Sequence, residues 1–224
     1  MNKILILVVF LAFSMILSNA RAQIGMDANN QGNVVIRLPQ PVYDGKISVE
    51  KALKERRSVR TYKAEPLTIG DLSQILWAAQ GVTEPKRGLR TAPSAKAVYL
   101  LEVYVISGNV TGLTPGLYKY RPVKHELLKV AEGDVKGRLY SAAGQAPINS
   151  APAALVIAGH SRKSSNPGWI YLEAGHAAQN VYLEAVSLDL GTVTMAGFKP
   201  EEVRKALGLS DEEQPIYIMP IGKK

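Results

Sequence analysis

The sequence predicts one domain of the mixed α+β class, for three reasons. Helical and strand-like patterns follow in the order helix, helix, strand, hairpin, helix, strand, long helix, strand, helix, strand, without the regular βαβ alternation of a parallel α/β fold. The roughly 200 residues after the N-terminal segment suffice for one domain with a hydrophobic core. The sequence contains no internal repeat and no low-complexity segment.

Residues 1–22 have the pattern of a secretory signal peptide. Lys3 precedes an apolar run from Ile4 to Leu17, and the small-x-small triplet Ala20-Arg21-Ala22 follows that run. The run is shorter than the roughly 20 residues that a membrane-spanning helix needs, which favours a signal peptide over an uncleaved anchor. We therefore expect cleavage after Ala22, a periplasmic or secreted protein, and no stable membrane anchor after cleavage.

Residues 23–47 follow as a polar, Asn/Gly-rich segment that contains Pro39 and Pro41. These features predict an extended N-terminal arm rather than a packed element. The folded domain is then expected to span residues 48–224.

Two short helices should open this domain. Ser48 is the expected N-cap of a helix over the sequence VEKALKERR. The stretch Thr68-Ile-Gly-Asp71 resembles a capping box, and the apolar residues after it recur at helical spacing until Gly81.

The remaining elements are assigned from periodicity and turn residues. We predict a helical turn over 94–97, a strand over 98–107, a hairpin with arms 117–120 and 126–130, a helix over 134–143, a strand over 153–159, the longest helix over 169–190, a strand and turn over 191–198, a capped helix over 200–208 and a final strand over 216–224. Alanines along one side of the longest helix would allow a second helix, often one from a partner chain, to pack closely.

Composition excludes several kinds of site. Without cysteine the chain can form no disulfide, thiolate nucleophile or cysteine metal site. His125, His160 and His176 lie far apart, so no metal site is predicted. Loss of Lys3 and Arg21 lowers the formal net charge from +8 to +6, and because this excess is scattered, we expect no nucleic-acid partner.

The strongest candidate for a binding site is a cluster of arginines after the first helix, formed by Arg56, Arg57, Ser58 and Arg60. Crowded guanidinium groups repel one another unless an anion lies among them. In an extended segment Arg56, Ser58 and Arg60 share one side, where they can enclose a phosphate. The alternative is a solvated basic face with an ion pair to Glu55.

Three weaker candidates accompany this cluster. Small residues around Pro93 and Ser94 would let a flat ligand approach the backbone, although an ordinary turn has the same composition. The strand that ends in Met195-Ala196-Gly197 offers unobstructed amides, or is a buried edge strand. Lys223 and Lys224 matter only if the last strand is held beside the arginines.

Catalytic side chains are scarce in this sequence. The Gly-x-Ser-x-Gly, Walker and His-Glu-x-x-His patterns are absent. Glu173 and His176 share a helix face, but two residues do not make a metal site. A phosphate-binding segment with few acid–base groups fits an enzyme whose cofactor performs the chemistry. No catalytic side chain is predicted.

Seven stretches in order resemble a nitroreductase-like, FMN-dependent flavoprotein family: RRSVR, TIGDLSQILWAAQG, PSAKAVYLLEVYV, PGLYKYRPVKHELLKV, EAGHAAQNVYLEAVSLDLGT, AGF and PIGKK. Within this family the chain resembles the branch that includes the azoline-oxidising, thiazole- and oxazole-forming dehydrogenases of peptide maturation. The resemblance runs from Leu38 to the C-terminus. It implies a nitroreductase-like fold with a mixed central β-sheet flanked by helices, and an intertwined homodimer with two FMN molecules at its interface.

The resemblance also implies FMN contacts at matching positions. The ribityl chain, phosphate and ring edge would be held by Arg56, Arg57, Ser58 and Arg60, with Lys223 and Lys224 at the phosphate. The other subunit would contribute Pro93, Ser94, Ala95, Lys96 and Ala97 along the flavin. The ring would be covered by Met195, Ala196 and Gly197. Arg60 or Lys96 would place a positive charge near the N1–C2 edge, and the long helix around Gly175 to Leu190 would form the dimer core.

The implied activity is hydride transfer between flavin N5 and a small organic substrate. The chain departs from many family members in carrying Ala196 in place of an acidic residue, Lys96 and Ala97 near an expected Asn, and a tail that stops at Lys224. These departures bear on the usual nitro-compound chemistry rather than on FMN binding. Three alternatives to an oxidoreductase stay open: a non-catalytic flavin-binding or scavenging protein, a flavin-cleaving oxygenase, and an interaction module without cofactor. NADH and NADPH are not expected outside the inner membrane, so the electron donor of an exported enzyme is open.

Overall fold

The computed structural model describes residues 34–163 and 166–224. The signal peptide predicted for residues 1–22, its cleavage site and residues 23–33 of the arm lie outside these ranges. Within them, no helix has the length and apolar character needed to cross a bilayer.

The described chain alternates strands and helices in the irregular order that the sequence predicts. The strands are β1 (Val35–Arg37), β2 (Leu67–Thr68), β3 (Val82–Glu84), β4 (Leu89–Arg90), β5 (Leu101–Ser107), β6 (Val110–Thr111), β7 (Gly116–Arg121), β8 (Glu126–Glu132), β9 (Ala153–His160), β10 (Leu190–Thr192) and β11 (Glu213–Lys223). The helices are α1 (Val49–Glu55), α2 (Ile69–Gln80), α3 (Val135–Ala143), α4 (Ala146–Ser150), α5 (Pro167–Ser187) and α6 (Pro200–Leu207).

Seven strands form the central sheet, in the order β1-β8-β7-β5-β9-β11-β10. Its neighbouring strands pair antiparallel. A parallel bridge between Ser58 and Thr192 adds the segment after α1 to the β10 edge, so parallel and antiparallel pairing meet at that edge.

Helices cover both faces of the sheet because its central strands are apolar on both sides. In β5, Val103 and Val105 belong to the core that also contains residues of α2 and α5. Tyr104 and Ile106 belong to a second core with residues of α3 and α6. This alternation follows from the two-residue period of a strand and gives a helix–sheet–helix arrangement.

Local capping signals are confirmed. Thr68 Oγ1 accepts a hydrogen bond from the Asp71 N–H, and Asp71 Oδ2 accepts one from the Thr68 N–H, so the capping box opens α2. Ser48 Oγ accepts from the Lys51 N–H at the start of α1. Gly208 ends α6 in the left-handed conformation, with φ of 65°.

The alanine side of α5 is occupied within the chain itself. Ala174, Ala177 and Ala185 are buried in the core, where α5 packs against α2 and the sheet. Tyr171 and Leu172 on the same helix are 53% and 64% exposed. The exposed surface of α5 therefore carries these apolar side chains, whereas the alanines are buried.

Strand β5 begins three residues later than the sequence predicts. Lys96, Ala97 and Tyr99 have φ values of 55°, 54° and 54°, which are incompatible with extended chain. The helix predicted over 169–190 instead spans Pro167–Ser187, with the Asn166 side chain accepting from the Gly168 N–H at its start.

Part of the predicted arm packs on the domain. Strand β1 pairs with β8, and Leu38 is buried, because the apolar residues of this stretch alternate before the first proline. Ser73 Oγ donates to Pro39 O at 2.6 Å and lies 2.7 Å from His125 Nε2, and these contacts attach the arm to α2.

Candidate functional site

The arginine segment leaves α1 as extended chain along the edge of the sheet. Arg56 ends the helix, where its N–H donates to Ala52 O and its ψ of 125° turns the chain out of the helical conformation. Ser58 then bridges Thr192, and the Val59 N–H donates to Thr192 O at 2.9 Å. Backbone hydrogen bonds to β10 therefore hold the segment in position.

Alternate side chains of this segment face different surroundings, as in any extended chain. Arg57 Nη1 donates to two carbonyl oxygens at the end of α1, at 2.8 and 3.0 Å, and so caps the helix. The Arg56 guanidinium lies 5.0 Å from the centroid of the Tyr182 ring. Arg60 Nη1 is 3.5 Å from Ser58 O, at the limit of hydrogen bonding.

None of these three guanidinium groups forms an ion pair with a carboxylate of the described chain, although other arginines do. Arg57 is engaged by its own helix. Arg56 and Arg60 therefore keep their positive charge available to an anion, on the side of the segment that also carries Ser58.

Tyr182 of α5 joins the arginine segment to the strand beside it. Its hydroxyl lies 3.1 Å from Ser58 Oγ and accepts a hydrogen bond from the Thr194 N–H at 2.8 Å. Burial raises the pKa of Tyr182, but the hydrogen bonds with Ser58 and with the Thr194 N–H, together with the Arg56 guanidinium, outweigh burial, so that the pKa is lowered overall. The hydroxyl thus lies beside the cationic side of the segment.

Close packing and one partly buried hydroxyl group hold the other side of this segment. A Cβ added at Gly191 would lie 2.6 Å from Val59 Cγ1, so only glycine lets the two chains approach this closely. Tyr62 donates to Val59 O at 2.8 Å and to Pro220 O at 3.2 Å. Burial raises the pKa of Tyr62, which keeps the hydroxyl protonated as a donor.

The two terminal lysines lie beside the arginine segment. The Lys63 N–H donates to Lys223 O at 2.9 Å, which ties the end of β11 to this segment. Lys223 Nζ is 3.4 Å from Asp71 Oδ2, and Lys224 Nζ is 3.2 Å from Asp189 Oδ1. Both ammonium groups thus have carboxylate neighbours, which distinguishes them from Arg56 and Arg60.

The turn at Met195, Ala196 and Gly197 continues from β10. The Met195 N–H donates to Ile218 O at 2.9 Å and Met195 O accepts from the Ile218 N–H at 3.0 Å. Gln145 Nε2 donates to Gly197 O at 2.8 Å. Met195 is buried, whereas Ala196 and Gly197 are exposed, so the turn presents bare backbone to solvent.

The stretch from Pro93 to Ala97 lies at another part of α5. Pro93 O is 3.2 Å from His176 Nδ1, and Lys96 Nζ is 5.6 Å from the centroid of the Trp169 ring. His176 and Tyr182 are about 9 Å apart along the helix axis and on different helix faces. One chain therefore brings together the arginines, the lysines and the Met195 turn, but not Ser94, Ala95, Lys96 and Ala97.

Several residues of the arginine site could not be predicted from the sequence. Tyr182 looks like any tyrosine of an amphipathic helix, and Gln145 and Tyr62 belong to no motif. The hydroxyls of Thr192 and Thr194 are buried and have no hydrogen-bond partner among the described residues. Only the Thr-Val-Thr alternation beside the Met-Ala-Gly stretch could have indicated the two threonines.

The donor set fits a phosphorylated cofactor that carries hydroxyl groups. Free guanidinium groups suit a phosphate, and unpartnered hydroxyls suit a polar chain. A cavity of about 150 Å³ lies on the other side of the segment, lined in part by Glu55, Arg57 and Val59, and it does not include Arg56, Ser58 or Arg60. No group of three or more histidines or carboxylates in the described ranges is arranged to hold a metal ion.

Comparison with known proteins shows clear similarity. The family model described as Nitroreductase family matches residues 53–223. A protein of Methanocaldococcus jannaschii whose name places it among nitroreductases is 42% identical over 185 residues, which cover 80% of this chain and 92% of that protein. A solved structure from Ralstonia eutropha, also named as a nitroreductase, is 32% identical with a TM-score of 0.73, covering 84% of this chain and 89% of that one.

Two solved structures of lower identity share the fold. A chain of the E. coli microcin synthetase McbBCD complex, solved with truncated pro-MccB17 bound, is 23% identical with a TM-score of 0.68, covering 87% of this chain and 79% of that one. A protein from Desulfovibrio desulfuricans, named as a nitroreductase in complex with FMN, is 19% identical with a TM-score of 0.60. The match covers 79% of this chain and 86% of that one.

Proposed function

Because the chain belongs to the nitroreductase family, we propose that it is an exported, FMN-dependent oxidoreductase that acts on a small organic substrate as a homodimer. The family resemblance read from the sequence is confirmed, together with the α+β nitroreductase fold, and the similarity to the microcin synthetase chain agrees with the expected branch. Family membership supports flavin-dependent oxidoreductase chemistry in general. Export, the homodimer, the cofactor contacts and the direction of transfer belong to our proposal.

The observation that carries this proposal is the grouping of free guanidinium groups with hydroxyls at the β10 edge. Arg56 and Arg60 have no carboxylate partner in the described chain, and Ser58 Oγ lies 3.1 Å from Tyr182 OH. A solvated basic face would need no such hydroxyl cluster. An FMN phosphate and ribityl chain would use both kinds of group.

In this proposal each part of the site has one task. Arg56, Arg60 and Ser58 bind the phosphate, the ribityl chain and the edge of the ring, and the terminal lysines add positive charge. The Met195 turn covers the ring with exposed backbone, held by Gln145. When bound, FMN supplies the two-electron chemistry, exchanging hydride at N5 with one substrate and then another. The protein binds the cofactor, orients it and tunes its charge, and no side chain is assigned as an acid or base.

The homodimer is proposed for two reasons. The apolar side chains of Tyr171 and Leu172 are exposed on the long helix, which fits a covered surface better than solvent. The loop from Pro93 to Ala97 lies away from the arginine site of its own chain, so it can complete only the site of a second copy. Analytical ultracentrifugation should give a dimer, and a monomer that holds FMN would contradict this part.

The visible spectrum of the purified protein tests the function. We expect bound flavin, reduced by at least one donor in an anaerobic screen and reoxidised by an organic acceptor. A double variant, Arg56→Ala with Arg60→Ala, should lose the flavin, whereas Arg138→Ala, an exposed arginine of α3, should keep it. A colourless protein that stays colourless with added FMN would overturn the proposal.

Two other results would replace the proposal with an alternative. Tightly bound flavin that no donor reduces would indicate a flavin-binding or scavenging protein. Oxygen-dependent loss of the flavin spectrum after reduction would indicate a flavin-cleaving oxygenase.

Export is tested separately by expressing the full chain and fractionating the cells. Mass spectrometry of the protein from the periplasm or medium should show a mature chain that begins at Gln23. An intact chain that starts at Met1 and stays in the cytoplasm would reject the signal peptide.

A further inference from the structure

We propose that Lys96 is a specificity-determining residue that binds an anionic group, a carboxylate or sulfonate, on the organic substrate. This inference rests on the proposed function, because it assigns the charge of the substrate that the same enzyme would use. Three observations support it: the backbone conformation at Lys96, the hydrogen bonds that maintain this conformation, and the surroundings of the ammonium group.

The backbone around Lys96 is strained. Lys96 has φ of 55° and ψ of 21°, and Ala97 and Tyr99 also have φ of 54°. Residues with a Cβ rarely adopt this left-handed region, because the Cβ approaches the following carbonyl oxygen. A glycine at position 96 would remove this backbone cost, whereas the exposed lysine there retains it.

Buried polar groups lock the loop in this conformation. Glu173, which is 2% exposed, accepts hydrogen bonds from the Leu100 N–H at 3.1 Å and from Gln80 Nε2 at 3.4 Å. Arg90 Nη1 donates to Gln80 Oε1 at 3.0 Å, and the Arg90 guanidinium lies 4.4 Å from the centroid of the Tyr99 ring.

Two further hydrogen bonds connect Tyr99 to earlier residues of the same stretch. The Tyr99 N–H donates to Ser94 Oγ at 2.8 Å, and the Arg90 N–H donates to Tyr99 OH at 3.1 Å. Strain that surrounding structure holds in place is typical of functional sites. The rigid loop therefore presents the exposed Lys96 side chain, which takes part in none of these locking contacts.

The ammonium group of Lys96 is available to an anion. Its Nζ lies 5.6 Å from the centroid of the Trp169 ring, and no carboxylate of the described residues pairs with it, whereas Lys163 and Lys119 nearby both pair with Glu102. A cation beside an aromatic ring matches an aromatic or heteroaromatic acid, whose ring can stack while its charge is neutralised.

This role differs from that of the arginine cluster. Arg56 and Ser58 contact Tyr182 on another face of the long helix, so Lys96 does not belong to the phosphate-binding group of its own chain. In a homodimer the loop would reach the site of the second copy, where its charge would meet the anionic group of the substrate.

The experiment compares two ligands that differ in charge. Equilibrium dialysis of the flavin-loaded protein measures binding of naphthalene-2-sulfonate and of neutral 2-naphthalenemethanol. We expect Lys96→Asn and Lys96→Gly to weaken binding of the sulfonate about tenfold, which corresponds to the loss of one charge-assisted hydrogen bond. The affinity for the neutral alcohol should not change. Lys96→Arg should keep the affinity within about threefold. Lys86→Asn removes an exposed lysine of the loop before β4 and should leave binding unchanged.

Turnover and stability give two independent readouts. In steady-state turnover, the donor identified in the anaerobic screen gives two electrons to the bound flavin in each cycle. The flavin passes these electrons to 1,2-naphthoquinone-4-sulfonate, which takes up two protons to form the hydroquinone, and the KM for this quinone should rise about tenfold in Lys96→Asn. The KM for neutral 1,2-naphthoquinone should not change. Lys96→Gly should raise the Tm by about 2–4 °C, because glycine adopts the left-handed conformation freely.

The outcomes separate this inference from the proposed function. The inference is overturned if neither the affinity for the sulfonate nor the KM for the sulfonated quinone depends on residue 96, or if Lys96→Gly has a lower Tm. In that case quinone turnover would still support an oxidoreductase. If no quinone is reduced by any form but sulfonate binding still depends on Lys96, the anion site stands and the proposed function fails.

Discussion

Ser58 and Tyr182 are 124 residues apart in the sequence, yet their hydroxyl oxygens lie 3.1 Å apart. The Tyr182 hydroxyl also accepts from the Thr194 N–H at 2.8 Å. One phenol thus connects the arginine segment, the long helix and the chain after β10. The predictions below test this connection and the contacts around it.

Tyr182→Phe should weaken both folding and cofactor binding. The variant keeps the ring beneath Arg56 but removes the partner of Ser58 Oγ and of the Thr194 N–H, which should lower the free energy of unfolding by about 1–3 kcal/mol. We expect FMN affinity to fall about tenfold, measured by fluorescence titration of the apoprotein. Tyr140→Phe, on the exposed side of α3, is the matched control. Equal affinity in the two variants would show that the hydroxyl does not organise the site.

Arg60→Ala tests the electrostatic role proposed for the free guanidinium groups. A cation near the ring stabilises the reduced, anionic flavin, so its removal should make the midpoint potential more negative by about 30 mV for a loss of about 1.4 kcal/mol. Spectroelectrochemical titration measures this shift, with Arg138→Ala as control. An unchanged potential with flavin still bound would reject the role of Arg60.

Gly191→Ala should displace the arginine segment. The new methyl group would lie 2.6 Å from Val59 Cγ1, so Val59 and its neighbours must shift, at a cost of about 1–3 kcal/mol. We expect lower FMN affinity together with a lower Tm. Gly70→Ala in α2, where the nearest atom would be 3.6 Å away, should keep both. Normal FMN affinity in Gly191→Ala would mean that the position of the segment is not critical.

Glu173→Gln should loosen the loop that carries Lys96. An amide cannot accept both the Leu100 and the Gln80 hydrogen bonds through oxygen atoms, so one buried donor loses its partner, and stability should fall by about 1–3 kcal/mol. Hydrogen exchange at the Leu100 amide should accelerate. Glu202→Gln, which removes an exposed ion pair with Lys199, should change stability little. Unaltered exchange at Leu100 would contradict the locking role.

His125 should make stability depend on pH. Burial lowers its pKa in the folded protein, although the hydrogen bond to Pro39 O opposes this shift. The unfolded chain, with an ordinary pKa near 6.5, then binds the proton more readily. The free energy of unfolding should therefore decrease as the pH falls from about 6.5 to the folded pKa, by at most about 1.4 kcal/mol per pH unit.

The measurement is urea unfolding between about pH 5 and pH 7. His125→Asn removes the titrating group, and asparagine tolerates the left-handed φ of 48° at this position. Its unfolding free energy should vary less over this range. Equal pH dependence in the two proteins would assign the effect to other groups.

Sequence patterns alone established most of the local structure. The capping box of Thr68 and Asp71, the helix stop at Gly208 and the apolar strands β5 and β9 were all predicted, because each signal lies within a few residues of the element that it controls. The order of these elements and the family motifs also established the fold class. The arginine segment was recognised for a similar reason, since its unusual charge density is visible without any fold.

Only the tertiary structure decided which side chains meet. It turned Arg57 onto its own helix, joined Ser58 to Tyr182 and paired the two terminal lysines with aspartates. It also set the left-handed backbone at Lys96, where local preference favours an ordinary turn or strand. These features depend on hydrogen bonds and packing between segments far apart in the chain, and their free energy outweighs the local preference that a sequence pattern reports.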